Sequence, residues 1–222
     1  MTTGDRRASP ARLAVFLSGS GRTLVNLAET IGRGELPATI ALVVASRPCK
    51  GLDRARALGL DSILIEGDPD PATLERLLGA HRIDWIVLAG YLRLLPIPER
   101  WAHRAVNIHP ALLPDFGGPG MFGGRVHRAV LGSGARESGC TVHRCDRGYD
   151  TGPIVLQLRC PVLEGDTPES LAARVFELEL RAYPEALRRL IAGSADDSPD
   201  ADRGSGRPGP AGPTIEGRPR RP

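Results

Sequence analysis

Apolar residues in the first half of the chain come in short runs, each closed by glycine, proline or a small polar residue. Leu13 to Leu17, Thr39 to Ala45 and Ile83 to Ala89 are nearly unbroken apolar runs, and Asp61 to Ile65 is a shorter one. Runs of this kind mark strands buried on both faces, as in a parallel sheet. Between them the apolar period becomes helical. Leu24, Leu27 and Ile31 share one stripe, Gly51 to Leu58 reads as a short helix stopped by Gly59, and Pro71 to His81 as a helix with proline in its first turn. Strand and helix in alternation predict an α/β fold with a Rossmann-like, doubly wound, mostly parallel sheet.

The pattern changes after residue 100. Val106 to Pro114 reads as a strand end in which Asn107 and His109, two apart, point one way while Val106 and Ile108 point into a core. Pro110 cannot continue a ladder, so the polar pair sits at the tip. Arg125 to Leu131 reads as a helix carrying His127. Ser138 to Cys145 and Pro153 to Val162 are strand-like runs joined by the turn-rich stretch 146–152, which predicts a C-terminal antiparallel hairpin. Thr167 to Ile191 is a long amphipathic helix with Leu171, Val175, Leu178 and Ala182 on one stripe, and Pro184 is expected to kink or break it. One catalytic domain over 12–192 follows, between a flexible N-terminus (1–11) and a disordered tail (193–222) in which apolar residues nearly vanish.

In an open α/β sheet, ligands bind beyond the carboxyl ends of the strands. Ser18-Gly19-Ser20-Gly21-Arg22-Thr23 joins the first strand to its helix and aims backbone N–H groups at an anion. It is neither G-x-G-x-x-G nor a P-loop with its lysine, so a single phosphate fits it better than a dinucleotide; the plain alternative is a tight turn. Asn107 and His109 belong to the same edge. Leu92, Arg93, Leu94 and Leu95 follow another strand end and are either core or the wall of an aromatic ligand site. Asp115 to Gly124, rich in glycine, is a lid or a mere connection. Asp150 lies on the hairpin loop, where Asp is ordinarily turn chemistry.

Composition narrows the function classes. The 222 residues are 41% hydrophobic and 25% charged, as in an ordinary globular protein. Basic residues number 29 against 26 acidic ones, so no nucleic-acid surface is expected. Cys49, Cys140, Cys145 and Cys160 have neither zinc-site nor redox-motif spacing, which predicts reduced thiols in a cytoplasmic protein. No apolar leader or membrane-spanning run is present.

Five motifs in a fixed order then become specific. Ser18-Gly19-x-Gly21, Leu88-Ala89-Gly90-Tyr91-x-Arg93, Asn107-Ile108-His109-Pro110 with Leu112-Leu113-Pro114, Gly139-x-Thr141-Val142-His143, and Asp150-x-Gly152-Pro153 resemble the folate-dependent formyltransferase family, most nearly its members that act on a glycinamide ribonucleotide. The resemblance implies transfer of a formyl group from 10-formyltetrahydrofolate, as co-substrate, to the amino group of N1-(5-phospho-D-ribosyl)glycinamide in de novo purine synthesis. It implies that Asn107 and His109 hold and polarise the formyl group, that Asp150 raises the pKa of His109, and that His143 supports the site. Gly19, Gly21, Arg22, Thr23 and Glu179, with Asn107, match the ribonucleotide-binding positions; Leu92, Arg93, Leu94 and Leu95, again with Asn107, match the folate-binding ones. Arg22-Thr23 stands where relatives carry Ser/Thr-Asn, which moves a phosphate contact toward a guanidinium. No metal or covalent nucleophile is implied. Partners are small-molecule substrates, with no nucleic acid or membrane, in a monomer or homodimer. The alternatives are a deformylase acting on the same folate and a catalytically inactive ligand-binding homologue.

Overall fold

The computed structural model describes residues 9–196, so most of the expected flexible N-terminus and tail lies outside the described residues. Strands β1 (Ala11–Leu17), β2 (Ala38–Ala45), β3 (Ser62–Leu64), β4 (Trp85–Leu88), β5 (Ala105–His109), β6 (Glu137–Arg144) and β7 (Ile154–Pro161) form one seven-stranded sheet in the order β3-β2-β1-β4-β5-β6-β7. The pairs from β3 to β5 are parallel, and β6 and β7 run antiparallel. The chain winds outward from β1 in one direction and then, from β4, in the other. The switch point, where a crevice opens beyond the strand ends, therefore lies between β1 and β4.

Both faces of the sheet are covered, which is why the early strands read as unbroken apolar runs. Leu13, Val15 and Leu17 pack with helices α1 (Arg22–Gly32), α2 (Lys50–Ala57), α4 (Gly124–Gly132) and α5 (Pro168–Asp196). Ala14 and Phe16 face the other layer, built from α3 (Pro71–Ala80) and a 3-10 turn carrying buried Trp101. Asp70 caps α3 by accepting from the Thr73 N–H at 2.9 Å, and Pro71 takes the first helical position.

Helix α5 departs from expectation twice. It continues to Asp196, past Ile191, so residues 193–196 are helical rather than tail. Pro184 lies inside it without breaking it. A proline at this position leaves the Leu180 carbonyl without its usual N–H partner. Asn26 of α1 supplies the missing donor, its Nδ2 lying 2.9 Å from Leu180 O. The lost helical bond becomes a bond between helices. One turn on, the Tyr183 hydroxyl sits 2.9 Å from Leu88 O and 3.0 Å from Val106 O, tying α5 to the sheet beneath the ends of β4 and β5.

Candidate active site

Strand β5 delivers Asn107 and His109 to one face, with Val106 and Ile108 in the opposite core, as the period of two requires. Antiparallel pairing with β6 sets His143 directly across from Asn107 and Thr141 across from His109. The β6–β7 loop brings Asp150 over this row in a left-handed backbone conformation, φ 58°. For a non-glycine residue that conformation costs about 1–3 kcal/mol and persists only where surrounding contacts enforce it.

The contacts are dense. The Asn107 amide nitrogen lies 3.1 Å from His143 Nε2 and donates to Asp150 Oδ1 at 3.2 Å. His143 Nδ1 faces the Arg144 carbonyl at 2.9 Å, which places its proton there and leaves Nε2 to accept from Asn107. Asp150 Oδ2 accepts from the Gly118 N–H at 3.0 Å and lies 3.4 Å from His109 Nδ1. His109 Nε2 faces the Phe116 carbonyl at 2.8 Å. Phe116 is itself left-handed, φ 57°. Gly117 beside it is tightly enclosed, since a Cβ there would stand 2.6 Å from Leu113 Cδ2 and 3.2 Å from Asp150 Cβ, so that both side chains would have to give way.

Both nitrogens of His109 face acceptors, an arrangement that suits the imidazolium. Burial nevertheless outweighs Asp150 and Phe116, and the His109 pKa is held below its ordinary value. Asp150 does raise it, in the direction the resemblance implies, but with His109 only 3% exposed burial sets the net direction. Burial, the largest single influence, pushes the Asp150 carboxyl up, but the neighbouring His143 and His109 rings and the Gly118 N–H together hold it below the usual carboxylate value. His127 of α4 is also buried. Its Nδ1 has no hydrogen-bond partner, and desolvation with the proximity of His109 keeps its pKa low.

The cluster forms the inner end of a cavity of about 320 Å³. Leu92, Arg93, Leu94 and Leu95 line one side and the Gly118–Gly123 loop the other, with Tyr149 at the hairpin loop. All four expected wall residues are therefore present, and the glycine-rich segment is a wall of the cavity. Arg93 turns its guanidinium outward to Asp68 at 2.7 Å.

The glycine loop after β1 does not line this cavity. Gly19 and Ser20 border a separate shallow pocket with Arg47, Cys49 and Lys50. Gly21, φ 72°, has a structural duty, because a Cβ there would stand 2.5 Å from Gly51 Cα where α1 meets α2. Arg22 lies with its Cζ 3.7 Å from the centre of the Phe176 ring of α5, a stacked cation. Glu179, one turn beyond Phe176, has its carboxyl pushed up to about 7 by burial, with Arg22 opposing. Gly19 apart, the expected site residues thus fall into two groups. Asn107, His109, His143, Asp150 and Leu92 to Leu95 share the cavity, while Gly21, Arg22, Thr23 and Glu179 gather at α1 and α5. Ser18, at the start of the glycine loop, accepts from the Leu92 N–H at 3.1 Å and donates its own N–H to Gly90 O at 3.1 Å.

Residues 11–187 match the family model described as formyl transferase. The chain belongs to the formyl transferase family. A phosphoribosylglycinamide formyltransferase of the chloroplast type from Vigna unguiculata is 40% identical over 188 residues, 81% of this chain; the chain spans 60% of that relative's length. The crystal structure of glycinamide ribonucleotide transformylase 1 from Symbiobacterium toebii superposes with a TM-score of 0.78 at 38% identity, covering 84% of this chain and 90% of that one. A formyltetrahydrofolate deformylase from Pseudomonas syringae pv. tomato shares the fold at TM-score 0.75 and 25% identity, over 84% of this chain and 63% of that one. The family fold therefore carries both transfer and hydrolysis, and the site residues must separate them.

Sequence reasoning missed the Phe116 carbonyl, because a backbone acceptor leaves no residue signal. It also missed Phe176 beneath Arg22 and the pair Thr141 and Gln157. Thr141 was readable in part: two residues before His143 in one strand, it must face the same way.

Proposed function

We propose that the chain transfers the formyl group of 10-formyltetrahydrofolate to the amino group of N1-(5-phospho-D-ribosyl)glycinamide, as a one-carbon transferase of purine synthesis. The observation that carries this reading is the Asn107, His109, His143 and Asp150 cluster at the inner end of a cavity walled by Leu92, Leu94 and Leu95. An aromatic folate ring fits between the leucine wall and the Gly118–Gly123 loop, with its formyl group toward the cluster. The second group, Arg22 and Glu179, is suited to the phosphate and a polar group of the ribonucleotide. This separate nucleotide position favours transfer over the hydrolysis a deformylase performs. A cytoplasmic setting is part of the proposal, supported by four unpaired cysteines.

The chemistry follows from the charges. The neutral amine attacks the formyl carbon, a C–N bond forms, and the carbonyl electron pair moves onto oxygen. Donors aimed at that oxygen lower the barrier, each worth about 100- to 1000-fold in rate. Asn107 supplies an amide N–H and His109 its Nε2–H. In the conformation described both are occupied, Asn107 by Asp150 and His143 and His109 by Phe116, so the formyl oxygen must take their place as acceptor. Negative charge on that oxygen favours the imidazolium, and Asp150 beside Nδ1 stabilises it as it forms. The tetrahedral intermediate then collapses, the C–N10 bond breaks, and the folate nitrogen leaves with a proton that balances the one given up by the attacking amine as it becomes the amide nitrogen.

Calorimetric titration tests the two-group arrangement. Glycinamide ribonucleotide and 10-formyl-5,8-dideazafolate are expected to bind together, with Arg22→Ala weakening only the nucleotide and Leu92→Asp only the folate. Mutual exclusion of the two ligands would contradict the proposal.

A further inference from the structure

Thr141 is fully buried on β6 directly opposite His109, and Gln157 of β7 is directly opposite Thr141. The three side chains form one cross-strand row. The Thr141 hydroxyl donates to Ala111 O at 2.7 Å and accepts from the Leu113 N–H at 3.0 Å. Gln157 Nε2 donates both to Thr141 Oγ1 and to Leu113 O, each at 2.9 Å. Two side chains therefore hold both the N–H and the carbonyl of Leu113, together with the carbonyl of Ala111. This is the turn that leads from His109 to Phe116, whose carbonyl faces His109 Nε2 at 2.8 Å. Neither Thr141 nor Gln157 lines the cavity.

We infer that Thr141 and Gln157 are positioning residues for His109, acting through the 111–113 turn to fix the Phe116 carbonyl and with it the orientation of the imidazole. The inference rests on His109 serving the formyl transfer proposed above. Without the Thr141 hydroxyl the turn loses its anchor to β6 at Ala111 O and the Leu113 N–H, and keeps only the Gln157 bond to Leu113 O. The ring then loses the acceptor that directs its Nε2–H, and the donor is no longer aimed where the formyl oxygen develops.

The test compares Thr141→Val, Thr141→Ser and Gln157→Met in the full chain. Each is measured for kcat and for KM of both substrates, and each is examined without substrates by nitrogen-15 NMR of its histidine rings. Thr141→Val is expected to lower kcat about 10- to 100-fold, as a small misplacement near a reacting group does, with both KM values unchanged. Its His109 Nε2–H signal should shift or broaden. Thr141→Ser keeps the hydroxyl and should restore both readouts, and Gln157→Met, at the half-buried end of the row, should give a smaller loss while folding normally. A folded Thr141→Val or Gln157→Met protein with wild-type kcat and an unmoved His109 signal would overturn the inference. So would a Thr141→Ser variant as impaired as Thr141→Val. Failure of the formyl-transfer reading is distinguishable: the wild type would then show no turnover, while its ring signals would still report whether the clasp sets His109.

Discussion

His109 sits where opposing demands meet. Its neighbours, an aspartate and a carbonyl, invite a second proton, whereas burial resists it and prevails in the unliganded site. A donor of this kind acts when charge appears on its target, so His109→Ala should lower kcat by about 100- to 10,000-fold, the range for loss of a positioned acid. Steady-state assays on variants with unchanged circular dichroism check this; near-wild-type turnover would remove His109 from the mechanism. Glu179 gives a second test. Its carboxyl, pushed up to about 7, is mostly protonated a unit below that. If its charged form contacts the nucleotide, KM for the ribonucleotide should rise up to about tenfold between about pH 8 and pH 6. Glu179→Gln should lack most of that dependence, and an identical pH profile in the variant would contradict the contact. At this scale the sequence disclosed identities and parity. Asn107 and His109 could be placed on one face because a strand's period is two, but the Phe116 carbonyl and the balance of burial against charge at His109 exist only once the chain is folded.

At the level of elements, the hairpin and the helices lay where turn chemistry and spacing put them, while Pro184 was misread. Local rules predict a break there because they see only the missing N–H. Asn26, far away in sequence, supplies the replacement donor to Leu180 O. Asn26→Ala should therefore destabilise the fold by about 1 kcal/mol, the cost of leaving a partly buried carbonyl without its donor. In a Pro184→Ala background the residue's own N–H can serve Leu180, so the same Asn26 substitution should cost less by about 1 kcal/mol. Urea denaturation of the four proteins of the cycle measures this, and strict additivity would show that the two residues do not share the carbonyl. The glycine loop teaches the same lesson from the other side. Its pattern predicts an anion cradle or a plain tight turn, yet Gly21 is required by the close approach of α1 to α2 at Gly51, and Arg22 stacks on Phe176.

For the molecule as a whole, alternating strand and helix predict a doubly wound sheet and so the edge on which a ligand would lie, while the switch point between β1 and β4 comes from the strand order of the fold. What could not be derived was that this edge divides. A cavity holds His109, Asn107 and Asp150, and a second group holds Arg22 and Glu179. That division depends on how α5 and the 115–123 loop cross the edge, which no local pattern encodes. It also bears on the distinction between transfer and hydrolysis, since a hydrolase needs no place for a nucleotide. The most direct measurement is the release of 5,8-dideazafolate from its 10-formyl derivative, followed by absorbance with and without glycinamide ribonucleotide. Release that requires the nucleotide, with formylated glycinamide ribonucleotide as product, is the expected result; equal release without it, or none in either case, would contradict formyl transfer to that amine.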